Sequence, residues 1–151
     1  MTEIVVNQAV LSDLEDVAGL FDEYRQFYGQ SSNVKAAREF LLAREKHGES
    51  VVFLAKDGLE PVGFTQLFPA FSSVSLARTF ILNDLYVHPQ ARRQGVAKLL
   101  LQAAEEYARS VGAERLTLST ATTNEQAQEL YRVAGWKQDE QFYVFHRAIK
   151  E

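Results

Sequence analysis

The chain has 151 residues, 46% of them hydrophobic and 24% charged, the size of one ordinary domain whose folding hides roughly 70% of the unfolded chain's surface. That balance, with a mean hydropathy of −0.20, excludes an intrinsically disordered chain, and no apolar run nears the ~20 residues of a membrane span. Sixteen Lys and Arg against twenty Asp and Glu leave a net charge of −4, which removes any global electrostatic case for nucleic acid or an anionic membrane as partner.

The absence of cysteine removes a disulfide framework, cysteine-ligated metal sites and a thiol nucleophile together. Met1-Thr2-Glu3-Ile4-Val5-Val6 lacks the basic and long apolar regions of a secretory signal, so a cytoplasmic location is expected. No repeat or Pro/Gly/Ser linker interrupts the chain, and residues 1–151 are expected to form a single domain.

Ile4 to Ala9 predicts a β-branched strand, and Ser12-Asp13-Leu14-Glu15 a capping box that opens a helix. Leu14, Val17, Ala18, Phe21 and Tyr24 give that helix one apolar stripe until about Gly29. A second helix is expected from Asn33 to about Lys46, with Val34, Ala37, Leu41 and Leu42 inward. Val51 to Ala55 and Val62 to Phe68 predict a hairpin around Asp57-Gly58 and Pro61, followed by a strand over Thr79 to Val87. After Pro89 to Gly95 comes the clearest helix, with Val96, Leu99, Leu100, Ala103, Ala104, Tyr107, Ala108 and Val111 on one face and Gly112 as its stop. Leu116 to Thr120 predicts a strand, Asn124 to about Ala134 a helix, and Trp136 onward one or two more strands. The order β-α-α-β-β-β-α-β-α-β-β implies an α/β or α+β fold with a mixed sheet, because only the strand–helix–strand crossover needs parallel neighbours.

The junction His88-Pro89-Gln90-Ala91-Arg92-Arg93-Gln94-Gly95-Val96-Ala97 brings a strand through a basic loop directly into a long helix. The first N–H groups of a helix lack internal partners and sit at the positive end of its dipole, so such a junction suits phosphate oxygens. Arg92 and Arg93 add charge, while Gly95 and Ala97 keep the backbone approachable. The run fits neither a Walker A loop nor a dinucleotide fingerprint.

Arg92-x-x-Gly95-x-Ala97, with Ile81 to Pro89 before it and Lys98-Leu99-Leu100 after it, resembles the Gln/Arg-x-x-Gly-x-Gly/Ala acetyl-CoA motif of the GCN5-related N-acetyltransferases. Ala97 stands where Gly is commoner. Thr123-Asn124, Ala127, Leu130-Tyr131 and Gly135-Trp136 resemble that family's downstream segment. The resemblance is specific over about residues 79–147 and covers the first half only in element order. It implies that the strand ending at Val87 and the one near Leu118 splay apart around the pantetheine arm, with Leu85 and Val87 backbone holding it. The pyrophosphate is then expected on the N–H groups of Arg93, Gln94, Gly95, Val96, Ala97 and Lys98, and Asn124 on the pantetheine or as a helix cap.

For catalysis, the resemblance implies Tyr131 as the acid that protonates the departing thiolate, against the competing role of core packing on the Ala127, Leu130, Tyr131, Ala134 stripe. Asp84, a carboxylate in an apolar strand, is the candidate for holding the substrate ammonium or relaying its proton; pairing with a local donor competes with that role. Asn83 shares it at lower weight, and His88 is a minor base candidate. His47, His88 and His146 lack metal-site spacing, so no metal is assigned. Asp13, Glu15, Asp16, Asp22 and Glu23, with no Lys or Arg among them, favour a cationic acceptor or form a solvated helix face. Tyr24, Phe27, Tyr28, Phe68 and Phe71 line an acceptor pocket or fill core, and Phe142-Tyr143-Val144-Phe145 suits a strand across a homodimer interface or an internal one.

The function expected is acetyl transfer from acetyl-CoA to a primary amine of a small molecule, a polyamine, diamine or amino-acid-like compound, by direct attack, since no cysteine or serine elbow offers a covalent route. The alternatives are acetylation of a protein lysine or N-terminus, and a non-catalytic acyl-CoA-binding regulatory module.

Overall fold

The computed structural model describes residues 3–150. Met1 and Thr2, part of the N-terminal stretch discussed above, and Glu151 lie outside the described residues. The chain divides after Ser119 into two compact units.

In the first unit one five-stranded sheet runs in the order β1 (Ile4–Gln8), β2 (Val51–Asp57), β3 (Glu60–Ser72), β4 (Ala77–Val87) and β5 (Leu116–Thr117). The first three pairings are antiparallel and β4–β5 is parallel, as the crossover through a helix requires. Helices α1 (Leu14–Phe27) and α2 (Val34–Lys46) separate β1 from β2, and α3 (Val96–Ser110) separates β4 from β5.

Adjacent strand residues point to opposite faces, and β2 shows both. Leu54 packs with Val17, Ala18, Leu20, Phe21, Ala37 and Leu41 of α1 and α2, together with Phe64 and Tyr86. Its neighbour Phe53 meets Tyr107 of α3, ring centroids 5.7 Å apart, as does Phe80 at 5.6 Å. The sheet therefore carries α1 and α2 on one face and α3 on the other. Gly63 lets α3 approach: a Cβ there would lie 2.9 Å from the Tyr86 carbonyl oxygen and 3.1 Å from Val96 Cγ1.

The predicted stripes shift by single positions. In α3 Leu101 is buried while Leu99 and, just past its end, Val111 are exposed, and in α2 Val34 is exposed. The capping box expected at Ser12 and Glu15 is not formed. Asp13 Oδ2 instead accepts the Val10 N–H at 2.9 Å, and Glu15 is drawn to Arg38 of α2 through two bonds of 2.6 and 2.8 Å, a bidentate pairing that a local cap cannot match.

The second unit holds α4 (Glu125–Val133). Asn124 Oδ1 caps it by accepting the Ala127 N–H at 3.1 Å, and Gly135 at φ +95° turns the chain so that the Trp136 N–H donates to the Tyr131 carbonyl at 2.9 Å. The strands expected after Trp136 are absent among the described residues. Residues 137–150 contain neither helix nor strand, and Phe142, Tyr143, Val144 and Phe145 are exposed. A run of β-favouring residues is not enough for a strand, because a ladder needs a neighbouring backbone over comparable length.

Candidate active site

The turn that joins β4 to α3 follows from its backbone. Arg93 at φ +65° and Gly95 at φ +77° reverse the chain so that α3 starts abruptly at Val96. The Leu99 N–H is the first to reach back, donating to the Gly95 carbonyl at 3.1 Å. The N–H groups of Val96, Ala97 and Lys98 precede any such partner. Arg92, Arg93, Gln94 and Lys98 are exposed around them. Arg92 is already directed: its Nε donates to the Val87 carbonyl at 3.2 Å, and its guanidinium lies 5.7 Å from the centre of the Phe27 ring.

Upstream of this turn, β4 contains a bulge that composition does not reveal. Gln66 pairs with Asp84 and Leu67 with Leu82, leaving Asn83 as the extra residue. The extra residue inverts which backbone groups face each neighbour. Before it, Arg78 C=O and Phe80 N–H face β5, bonding Glu114 N–H at 2.8 Å and Arg115 C=O at 3.1 Å. After it, the His88 N–H donates to Val62 of β3 at 2.8 Å. By alternation Leu85 and Val87 turn their backbone groups away from β3. On that side the β4–β5 pairing ends at Ile81 and Thr117, so among the described residues no strand pairs with the stretch of β4 that leads into the turn.

Tyr86 lies on the α1 face, its ring 6.1 Å from Tyr24 and 6.5 Å from Phe64, which by alternation places Asp84 and Gln66 on that face too. Asp84 is 5% exposed. Gln66 Nε2 donates to its Oδ2 at 2.8 Å and Asn83 Nδ2 to its Oδ1 at 3.1 Å, while Thr65 Oγ1 donates to the Asp84 backbone carbonyl at 2.8 Å. Nearer the turn, Glu23 Oε1 of α1 is 3.5 Å from both the Tyr86 hydroxyl, which donates to it, and His88 Nε2. Burial and then the Glu23 charge push the Tyr86 phenol above its ordinary value, outweighing the Arg92 guanidinium. His88 Nδ1 accepts the Gln90 N–H at 3.2 Å, so the neutral imidazole carries its proton on Nε2, toward Glu23.

The aromatic candidates divide. Tyr24 packs among Phe21, Phe64 and Tyr86, Phe68 borders an open depression with Phe40 and Arg44, and Phe27, Tyr28 and Phe71 are exposed. In the second unit Tyr131, half-buried, lies with its ring 6.1 Å from that of Trp136. Among the described residues no group of three or more His, Cys, Asp or Glu is arranged to hold a metal, and no helix is long and apolar enough to cross a membrane.

A model of the Acetyltransferase (GNAT) family matches residues 17–136. The chain belongs to this family. It is 47% identical to an uncharacterised N-acetyltransferase, YhfO, of Bacillus subtilis (strain 168) over 137 residues, 91% of this chain and 92% of the relative. It is 30% identical over 117 residues to a thialysine N-epsilon-acetyltransferase of Caenorhabditis elegans, 78% of this chain and 72% of that one. A crystal structure of a probable acetyltransferase superimposes with a TM-score of 0.92 at 44% identity, covering 97% of this chain and 99% of that chain.

Two features of this acetyltransferase escape a reading of its sequence. Gln66 is fully buried opposite Asp84, and its only signal is a carboxamide beside Thr65 in an otherwise apolar stretch from Phe64 to Phe68. Asp22, counted above within an acidic helix face, is buried. It accepts bonds from Ser32 Oγ and Asn33 N–H, both 2.7 Å, and from Gln26 Nε2 at 3.1 Å. That makes it a fastener of the α1–α2 connection rather than a solvated charge.

Proposed function

We propose that this acetyltransferase moves the acetyl group of acetyl-CoA to the primary amine of a small molecule, such as a polyamine, diamine or amino-acid-like compound, by direct attack in a ternary complex. The observation that carries the proposal is the bulge at Asn83, which opens the edge of β4 immediately before a turn rich in unpartnered N–H groups. On this reading Leu85 and Val87 hold the pantetheine arm, the Val87 carbonyl being shared with Arg92. The N–H groups of Arg93 to Lys98 take the pyrophosphate, with the Arg92, Arg93 and Lys98 side chains adding charge. Asn124 spends Oδ1 on its helix cap and keeps its amide for the pantetheine. Residues 1–151 act as one N-acetyltransferase domain, a view supported by a family match that runs across the division at Ser119.

In the transfer, the amine nitrogen forms a bond to the thioester carbonyl carbon, the carbon–sulfur bond breaks, and the sulfur leaves as thiolate. Asp84 holds the incoming ammonium and takes or relays its first proton, the second leaves the nitrogen to solvent once the C–N bond has formed, and Tyr131 protonates the thiolate and recovers its own proton from solvent. A small amine as acceptor is supported by the activity for which the thialysine N-epsilon-acetyltransferase relative is named. The test sets calorimetric acetyl-CoA binding beside free-thiol release with a panel of amines and lysine peptides. Amine-dependent thiol is expected. Release only with peptides supports a protein acetyltransferase, and tight binding without acceptor-dependent thiol a regulatory module; no acetyl-CoA affinity overturns the proposal.

A further inference from the structure

Asp84 and Gln66 face each other across the β3–β4 ladder, 5% and 0% exposed. The two donors to the carboxylate, Gln66 Nε2 and Asn83 Nδ2, are neutral amides. No Lys, Arg or His among the described residues forms an ion pair with it. A buried carboxylate without a counter-charge is costly to maintain. The orientation of Gln66 is fixed by chemistry, because a reversed carboxamide would set its oxygen against the carboxylate. The atom left over is Oε1, which is buried with no donor. A negative charge lacking a cation and a carbonyl lacking a donor thus lie on one side chain pair. An ammonium group brings one positive charge and three N–H donors and answers both deficits.

Asn83 supplies the way in. It is the bulge residue, it is exposed, and its 3.1 Å bond to Asp84 Oδ1 comes from an uncharged amide. A charged donor outcompetes a neutral one for the same oxygen, so an arriving ammonium can displace the Asn83 amide, which finds water instead.

We propose that Gln66 and Asp84 together seat the acceptor's ammonium, with Asn83 as a displaceable cover, and that this seat selects a primary ammonium. Gln66 both positions the carboxylate through Nε2 and offers Oε1 as a second acceptor. N-Methylation removes an N–H and adds a carbon where the buried carbonyl needs a donor. The inference rests on the proposed transfer to a small amine and deepens it.

The experiment uses 1,4-diaminobutane and its N,N′-dimethyl analogue as probes. In thiol-release kinetics Gln66→Met, which keeps the chain length but removes donor and acceptor, is expected to raise the KM for diaminobutane about ten- to a hundredfold, the loss of a bond to a charged group. Its acetyl-CoA affinity should stay within about twofold. Asn83→Ala should lower that KM, and the dimethyl analogue should bind at least about tenfold more weakly to the wild type. Independently of turnover, the Gln66 side-chain amide resonances of the 15N-labelled wild-type protein should shift saturably with diaminobutane. Shifts without amine-dependent thiol leave the seat standing and remove the transfer. Turnover with an unchanged KM in Gln66→Met, or Gln66 resonances that ignore the probe, overturns the seat and leaves the transfer standing.

Discussion

Asp22 and Asp84 are two buried carboxylates in different circumstances. Asp22 suffers the same burial, which raises its pKa, but the bonds from Ser32, Asn33 and Gln26 and the nearby Arg25 charge win, and its carboxyl titrates below the ordinary value of 3.8. Asp22→Ala leaves those donors unmet and should cost on the order of 2 kcal/mol at neutral pH, read by urea unfolding. Because the folded pKa is the lower one, its contribution is complete above the unfolded value and is lost as pH falls through the folded value. Acidification from pH 5 to below 3.8 should therefore destabilise the wild type more than the variant; equal losses would show that Asp22 is not a charged fastener. For Tyr131, Tyr131→Phe should lower kcat about a hundredfold or more, the usual worth of a positioned proton donor, with little change in the thermal midpoint. A kcat within twofold of wild type would return this tyrosine to plain packing against Trp136.

At the scale of elements, two glycines meet the start of α3 for unlike reasons. Gly95 sits at φ +77° with open space where a Cβ would go, so Gly95→Ala costs only the left-handed backbone, about 1–2 kcal/mol, and disturbs the turn itself. Gly63 has an ordinary backbone, but its Cβ would strike the Tyr86 carbonyl and Val96, and a backbone oxygen does not yield cheaply. The pair should separate in two assays. Gly63→Ala should give the larger loss in thermal midpoint, and Gly95→Ala the larger loss of acetyl-CoA affinity relative to its effect on stability. The reverse ranking would mean that the turn is not where the carrier's phosphates rest.

For the whole molecule, a net charge of −4 sets a field that repels a polyphosphorylated ligand, while Arg92, Arg93 and Lys98 around the turn attract it. Backbone N–H groups are insensitive to salt, and exposed cations are screened over a Debye length of about 3 Å at 1 M. Raising sodium chloride from about 0.05 to 0.5 M should therefore weaken acetyl-CoA binding several-fold without abolishing it. Calorimetry that shows no salt dependence would remove the three side chains from the phosphate site, and complete loss would remove the backbone cradle.

Helices and the turn before α3 were legible because they rest on local rules. The three- and four-residue spacing of α1 and α3, Asn at two helix starts and Gly at the stops act within a few residues, and Arg92, Gly95 and Ala97 form a contiguous motif. The tertiary structure alone decided what depends on distant partners. The bulge at Asn83 exists only as a mismatch of register between β3 and β4, Gln66 gains meaning only by facing Asp84, and Asp22 becomes a fastener only when Ser32 and Asn33 fold over it. The strands expected after Trp136 went unrealised for the same reason: strand propensity is written in one segment, whereas a ladder belongs to two.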